Sequence, residues 1–280
     1  MRVAWATDIH LDAAMQAGTA RFIDQVRSLD VEALLLTGDI SSARRLVDDL
    51  RDLRERLAMP VHYVLGNHDF YGGSIKGVRE SVAAIGDDDL RYLSTAGVVP
   101  LTDSVSLVGH DGWADARIGS FMTSQVILND DVTIRELMRA GAPEDASEEL
   151  DRLWGWEHKD ELARVLGELG DEAAATLRPQ LEAALSRTRQ VVVLTHVPPF
   201  KGACWHRGVI SGDDWLPRFT CQAVGDVLLE AAREHAEAQI TVLCGHTHGE
   251  GEYRPVDNLL VRTGGAEYTR PVARVIVLDD

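Results

Sequence analysis

Seven side chains able to bind a metal ion stand at the ends of apolar runs. Asp8 and His10 follow Val3-Ala4-Trp5-Ala6-Thr7, Asp39 follows Ala33-Leu34-Leu35-Leu36-Thr37-Gly38, and Asn67 follows Val61-His62-Tyr63-Val64-Leu65-Gly66. His196 follows Val191-Val192-Val193-Leu194-Thr195, and His246 and His248 follow Ile240-Thr241-Val242-Leu243-Cys244-Gly245. The pairs Asp8/His10 and His246/His248 are spaced i, i+2, which puts both side chains on one side of an extended backbone. Together the set offers carboxylate oxygen, amide oxygen and imidazole nitrogen but no thiolate, a mixture suited to Mn, Fe or Zn. Seven donors are too many for one ion. Two ions bridged by one carboxylate is the economical arrangement, and ions roughly 3.5–4 Å apart can clamp the attacking and leaving oxygens of an in-line displacement at phosphorus. His68 and Asp69 follow Asn67 without a gap and add groups able to transfer or orient a proton.

These residues need strands that stop abruptly in register. In an open α/β sheet, binding sites gather outside the carboxyl ends of the strands. Val3–Thr7 and residues 33–37 read as buried strands, separated by a helix with Phe22, Ile23, Val26 and Leu29 on one face. Ser41 or Ser42 is a good N-cap for a second helix striped by Leu46, Val47, Leu50, Leu53 and Leu57, which Pro60 ends. Two such βα units and a third strand point to an α/β sheet. Residues 105–109 form another strand, leading into His110 and Asp111. From 114 to 189 the chain is acidic and helical without a convincing strand, with breaks at Pro143 and Pro179, and is expected to be an insertion or cap. Strands resume at 191–195 and 240–244, with a helix between about 221 and 235, and two more close the chain at 259–262 and 272–278. The whole chain, 1–280, is expected to be a single domain.

Composition narrows the class. The chain has 280 residues, 45 % of them hydrophobic, and a formal net charge of −17. That charge disfavours a broad nucleic-acid surface, which draws on Lys and Arg contacts to phosphate. Three widely spaced cysteines, Cys204, Cys221 and Cys244, follow no CxxC pattern, so reduced thiols are expected rather than a disulfide framework. No apolar run approaches the ~20 residues of a membrane span, and no signal peptide is visible, so the expected location is cytoplasmic.

Asp8-x-His10, Gly38-Asp39, Gly66-Asn67-His68-Asp69, His196 and Gly245-His246-x-His248 resemble, in order, the signature of the calcineurin-like metallophosphoesterases. The resemblance spans residues 8 to 248. It implies a four-layer αββα sandwich of two mixed sheets flanked by helices, here with a helical insertion, and a dinuclear site for Mn, Fe or Zn. Carried over by position, Asp8, His10 and His248 hold one ion, Asn67, His196 and His246 hold the other, and Asp39 bridges. His68 matches the family's catalytic histidine and Asp69 the acidic residue that orients it. Many members read Gly-Asp-x-x-Asp where this chain has Ser42 in the last position. The missing carboxylate usually supports the site rather than binding metal.

The implied activity is hydrolysis of a phosphomonoester or phosphodiester by attack of a hydroxide held between two ions, a nucleophile at neutral pH because bound water has a pKa near ~7. Its substrate is expected to be a small-molecule phosphoester or a nucleotide. A nuclease, a protein phosphatase and a non-catalytic scaffold on the same fold are the alternatives, and scaffolds usually lose a ligand or the catalytic histidine. Substrate contacts are sought in His110 and in the long Gly-, Pro- and Trp-rich stretch 198–217, where Trp205, His206 and Trp215 offer stacking surfaces. Lys201, Arg207, Arg218 and Arg254 are the cations available for a phosphate group. Asn129, Asp130 and Asp131 read as a helix N-cap run, and Trp154 and Trp156 as packing of the insertion.

Overall fold

Successive residues of a strand point to opposite faces, and the short apolar runs of this chain are apolar on both. In the computed structural model, which describes residues 1–140 and 159–278, the first sheet is laid down by βα units. β1 (Arg2–Ala6), α1 (Leu11–Ser28), β2 (Ala33–Thr37), α2 (Leu46–Leu57), β3 (Val61–Val64), α3 (Ile75–Ala83) and β4 (Leu90–Tyr92) follow one another, with the four strands parallel. After α4 (Leu93–Ala96) the chain enters a second sheet with β5 (Val99–Pro100) and β6 (Val105–Gly109). Next come α5 (Asp130–Thr133), α6 (Arg135–Ala140), α7 (Lys159–Leu185) and β7 (Gln190–Leu194). A small hairpin, β8 (Trp205–His206) and β9 (Val209–Ile210), precedes α8 (Leu216–Phe219), α9 (Gln222–Glu234) and β10 (Gln239–Cys244). β11 (Gly251–Val256) and β12 (Leu259–Thr263) complete the second sheet, and β13 (Arg274–Val277) returns to the first, antiparallel to β1. The strand orders are β13-β1-β2-β3-β4 and β11-β12-β10-β7-β6-β5.

Three apolar cores separate four layers. Ala4, Ala6, Leu34 and Leu36 face the helices of the first sheet, with Phe22, Ile23, Leu50 and Leu53 opposite. The alternate residues Val3, Trp5, Ala33 and Leu35 face the second sheet, where they meet Val105, Leu107, Val192 and Leu194. Val191 and Val193, on the other face of β7, meet Leu177 and Leu181 of α7 and Val224 and Leu228 of α9. The fold is therefore the expected αββα sandwich of two mixed sheets. No described helix is long and apolar enough to cross a membrane, and Cys204, Cys221 and Cys244 are buried free thiols.

Several local expectations are corrected. α2 starts at Leu46 with Arg45 in the N-cap position, where its side chain makes no capping hydrogen bond, and not with Ser41 or Ser42 there. The Ser41 hydroxyl instead donates to Asp49 Oδ2 (2.5 Å), and Ser42 supplies its carbonyl to the amides of Arg45 and Leu46. Pro179 does not break α7, because the lost hydrogen bond is a single one and the buried stripe Leu162, Leu166, Ala173, Leu177, Leu181 runs past it. α7 is a flanking layer of the second sheet, packed on β6, β7 and α9. Pro143, Trp154, Trp156 and His158 lie outside the described residues. The stretch 198–217 is short structured pieces, and β11 was not anticipated.

Asp111, just beyond β6, ties the parts together. Its buried carboxylate accepts from Leu65 N (2.8 Å), Arg79 Nε (3.0 Å), the Tyr92 hydroxyl (2.6 Å) and Ser94 Oγ (3.0 Å). Its carbonyl accepts from His196 N (2.8 Å). Asp111→Ala leaves Arg79, among the described residues, with its exposed partner Glu172 alone (2.7 Å) and strands buried donors. The expected loss is about 3 kcal/mol, the cost of breaking a buried pair from one side, read as a lower midpoint in urea unfolding.

A candidate dinuclear metal centre

The parallel strands bring their carboxyl ends to one edge. β1, β2 and β3 deliver Asp8, His10, Asp39 and Asn67 from the first sheet, and β7 and β10 deliver His196, His246 and His248 from the second. Turning these side chains inward takes unusual backbone. Asp8 (φ 51°), His10 (φ 40°), Asp39 (φ 52°), His246 (φ 69°) and His248 (φ 58°) are all left-handed. Sparsely populated conformations cost about 1 kcal/mol or more each and persist where the surroundings impose them, typically at functional sites. Two glycines make room. A methyl group on Gly66 would collide with the Asp39 carboxylate, and one on Gly245 with Thr7 and Asp8.

Two groups of donors result. Asp8, His10, Asp39 and His248 present ligand atoms within 4.8 Å of one another. His248 Nε2 lies 3.2 Å from Asp8 Oδ1 and 3.4 Å from His10 Nε2. In the second group, Asn67 Oδ1 lies 3.0 Å from both His196 Nε2 and His246 Nδ1, which are 3.2 Å apart. Asp39 stands between them: Oδ1 is 3.3 Å from His196 Nε2, and Oδ2 is 3.9 Å from His10 Nε2.

The chemistry of the donors tests whether metal ions fit. His196 donates through Nδ1 to Thr37 O (2.8 Å), and His246 through Nε2 to Arg218 O (2.8 Å). Each ring therefore turns its unprotonated nitrogen inward. Three lone-pair atoms converge at 3.0–3.2 Å with no proton between them, an arrangement a cation reconciles. Although burial opposes it, the hydrogen bond and charge of Asp8 push His248 up. Burial holds His10, His196 and His246 neutral, as ligands must be. It pushes His10 down to about 3 and His246, with help from His196, down to about 4. Burial, together with the charge of Asp8, pushes the Asp39 carboxyl well above its usual range. Among the described residues no lysine or arginine lines this cleft to offset the two carboxylates.

His68 sits beside the centre with its Nε2 4.0 Å from Asp39 Oδ2, and its amide donates to Asp39 Oδ1 (2.9 Å). Its ring stacks on Tyr71, centroids 4.2 Å apart, and meets His10 edge-on at 4.6 Å. Burial keeps it neutral, near 4. Asp69 does not orient it. The Asp69 carboxylate accepts from the amides of Ile40, Ser41 and Gly66, all at 2.8 Å, so it fastens the β3 loop to the β2 loop. In the single 3₁₀ turn Asn67–Phe70 neighbouring side chains diverge, so adjacency in sequence does not become contact.

The cleft over the centre has a volume of about 280 Å³. His206 and Trp215 line it, while Trp205 and His110 do not. Trp205 packs under Gly249 and Gly251, and His110 is buried, accepting from Gly112 N through Nδ1 (3.2 Å). Sequence reasoning missed Tyr71, Phe219 and Tyr268 in the lining. Tyr268 follows β12, a parallel strand end like the others, and its ring lies 4.4 Å from His10 and 4.9 Å from His248. Asp130 is no N-cap: it accepts from Asn67 Nδ2 (2.8 Å) and the Tyr71 hydroxyl (2.6 Å). The cations expected to meet phosphate are largely engaged. Arg218 is buried against Asp131 (2.7 and 2.6 Å), Lys201 pairs with Asp213 (2.8 Å), and Arg254 donates to Asp257 O (2.7 Å).

Comparison with solved structures finds the same architecture. A phosphopantetheinyl hydrolase from Mycobacterium tuberculosis superposes with a TM-score of 0.60 at 15 % identity, over 99 % of this chain and 96 % of that one. A dimetal phosphatase from Danio rerio gives 0.53 at 16 % identity, over 95 % and 87 %. A protein of Thermus thermophilus gives 0.54 at 14 %, over 96 % and 90 %. At such identities the likeness is one of fold. No protein of the curated set matches the chain. Over residues 1–250, however, the sequence matches the family described as calcineurin-like phosphoesterase, and the chain belongs to that family.

Proposed function

We propose that this chain is a dinuclear metal-dependent phosphoesterase, a single domain over residues 1–280, that hydrolyses a small phosphoester. The observation that carries the reading is the convergence of three lone-pair atoms, Asn67 Oδ1, His196 Nε2 and His246 Nδ1, beside a carboxylate that also faces Asp8, His10 and His248. Asp8, His10 and His248 would hold one ion, Asn67, His196 and His246 the other, and Asp39 both. When bound, such a pair of ions activates water and neutralises charge at phosphorus.

The chain's own groups supply the rest. His68 is held neutral, so it acts as an N–H donor to the leaving oxygen rather than as a charged acid. Trp215 lies stacked on Phe219, centroids 5.2 Å apart, and both line the cleft with Tyr71 and Tyr268, offering aromatic surface to the leaving group. With no lysine or arginine among the described lining residues, the favoured substrate carries one phosphate and no second anionic group. An aryl or nucleoside monoester, or a compact diester, fits this description.

The test couples metal analysis to a substrate panel. Purified protein is expected to carry close to two transition-metal ions per chain, and to lose at least about 99 % of its turnover of p-nitrophenyl phosphate or bis-p-nitrophenyl phosphate on chelation, as expected of a reaction that needs the metal-activated water. Readdition of Mn²⁺, Fe²⁺ or Zn²⁺ identifies the effective ion. The panel includes nucleoside polyphosphates, which should be poor substrates, and a phosphopantetheinyl diester, because a structural neighbour is named for that hydrolysis. Metal-replete protein inactive across the panel overturns the enzymatic reading and leaves the scaffold.

A further inference from the structure

Asn67 poses a problem that its own chemistry does not solve. The oxygen and nitrogen ends of its side-chain amide have nearly the same shape, and only the oxygen can ligate a metal. The two neutral imidazole nitrogens facing it, His196 Nε2 and His246 Nδ1, would each accept from an amide NH₂ if the group were turned round. We propose that Asp130, reaching from α5 to the far end of the Asn67 amide, is the positioning residue that turns its oxygen toward the metals and thereby sets the affinity of the second ion's site. The inference rests on the dinuclear reading above.

The contacts form a closed triangle. Asn67 Nδ2 donates to Asp130 Oδ1 (2.8 Å) and to the Tyr71 hydroxyl (3.2 Å), and that hydroxyl donates to the same Asp130 oxygen (2.6 Å). Both amide protons are thus used on the side away from the metals. A carboxylate only accepts, so a flipped Asn67 would set oxygen against oxygen. Hydrogen bonds to an ionised acceptor are roughly twice as strong as neutral ones, so the carboxylate outweighs the imidazoles in choosing the orientation. Asn67 and Asp130 are both more than nine-tenths buried, which keeps water from substituting for either partner.

The next residue extends the argument. Asp131 grips the Arg218 guanidinium with both oxygens (2.7 and 2.6 Å), and the Arg218 carbonyl accepts from His246 Nε2 (2.8 Å). Consecutive carboxylates of α5 therefore reach two of the three expected ligands of one ion. Main-chain bonds from Gly72 N to Thr133 O and from Arg135 N to Gly73 O, both 3.1 Å, fix α5 to the loop that carries His68. Nothing on α5 is bonded to Asp8, His10 or His248 among the described contacts, so its hydrogen bonds reach the ligands of one ion and not those of the other.

The test is a calorimetric titration of Mn²⁺ into metal-stripped protein, with metal-free melting temperatures taken alongside. Wild type should bind two ions. In Asp130→Asn the replacement amide accepts either orientation of Asn67, so the second ion should bind about 10–100-fold more weakly, the usual cost of losing a partner behind a ligand. Binding of the first ion should be unchanged. The double variant Asn67→Asp/Asp130→Asn moves the charge to the ligand and gives its outer oxygen an NH₂ donor, so it should regain the second ion even if the single variant folds poorly. Tyr71→Phe should weaken the second ion less than Asp130→Asn. Unchanged second-ion affinity in Asp130→Asn, equal weakening of both ions, or no recovery in the double variant would each overturn the role of Asp130. A wild type that binds one ion would overturn the dinuclear reading with it.

Discussion

Asp39→Asn is expected to lower kcat/KM by about 10³-fold or more, about 4 kcal/mol of transition-state stabilisation, while making the metal-free protein more stable. The first effect follows from position: Oδ1 faces the group of Asn67, His196 and His246, and Oδ2 faces that of Asp8 and His10. An amide offers one oxygen and so cannot serve both. The second effect follows from burial. Asp39 is 1 % exposed, burial and the Asp8 charge both oppose its ionisation, and no cationic side chain lines the cleft among the described residues. Asparagine keeps an acceptor for the His68 amide and removes the charge. A gain of about 1 kcal/mol in metal-free stability is expected from relieving that desolvation and repulsion. Melting curves with and without Mn²⁺ check both statements at once. The variant should melt higher than wild type without metal and rise less when metal is added. A variant that keeps two ions and full turnover would remove Asp39 from the bridging position.

His68→Ala should lower turnover by about 10²–10⁴-fold, the range for losing a positioned proton donor, with metal content unchanged. The backbone amide that donates to Asp39 survives the substitution, so the carboxylate keeps that contact. The loss should depend on the leaving group. A p-nitrophenolate departs with little help, whereas an alkoxide needs the N–H donor. The ratio of wild-type to variant turnover should therefore grow as the leaving group becomes more basic. Equal losses for aryl and alkyl esters would mean that His68 acts on the phosphoryl oxygens or merely fills space against Tyr71.

Much of this was readable in the sequence because strand ends are written plainly. A run such as Val191–Leu194, apolar on both faces, has to be buried between layers, and the first polar residue after it has to emerge at the sheet edge. That logic brought the seven side chains to one sheet edge, whereas the sandwich that holds them was implied by the family resemblance and not by the strand pattern. It was less informative where structure is irregular. Asp130 lies in a four-residue helix and Tyr268 in a loop beyond β12, and neither has a periodicity to announce it. Asp69 misled because adjacency suggests contact, whereas the 3₁₀ turn sends it to the Gly66 amide of its own loop and the Ile40 and Ser41 amides of the β2 loop. β11 mixes Pro255 with polar and charged residues and so lacks the apolar run that marks the other strands. The strand is at the edge of its sheet, where proline costs no ladder bond.

The donors of each group come from both sheets. Asp8, His10 and Asp39 reach across to His248, and Asn67 reaches across to His196 and His246. Between the strands themselves the contact is made by aliphatic side chains such as Val3, Leu35, Leu107 and Leu194, with Trp5 among them, and such contact is non-directional. The hydrogen bonds from Leu65 N to Asp111 and from His196 to Thr37 O lie at the same edge as the donors. Bound ions would therefore act as a rivet on an otherwise greasy seam. They would resist shear between the layers at one edge only, leaving the opposite edge, where the strands begin, free to breathe.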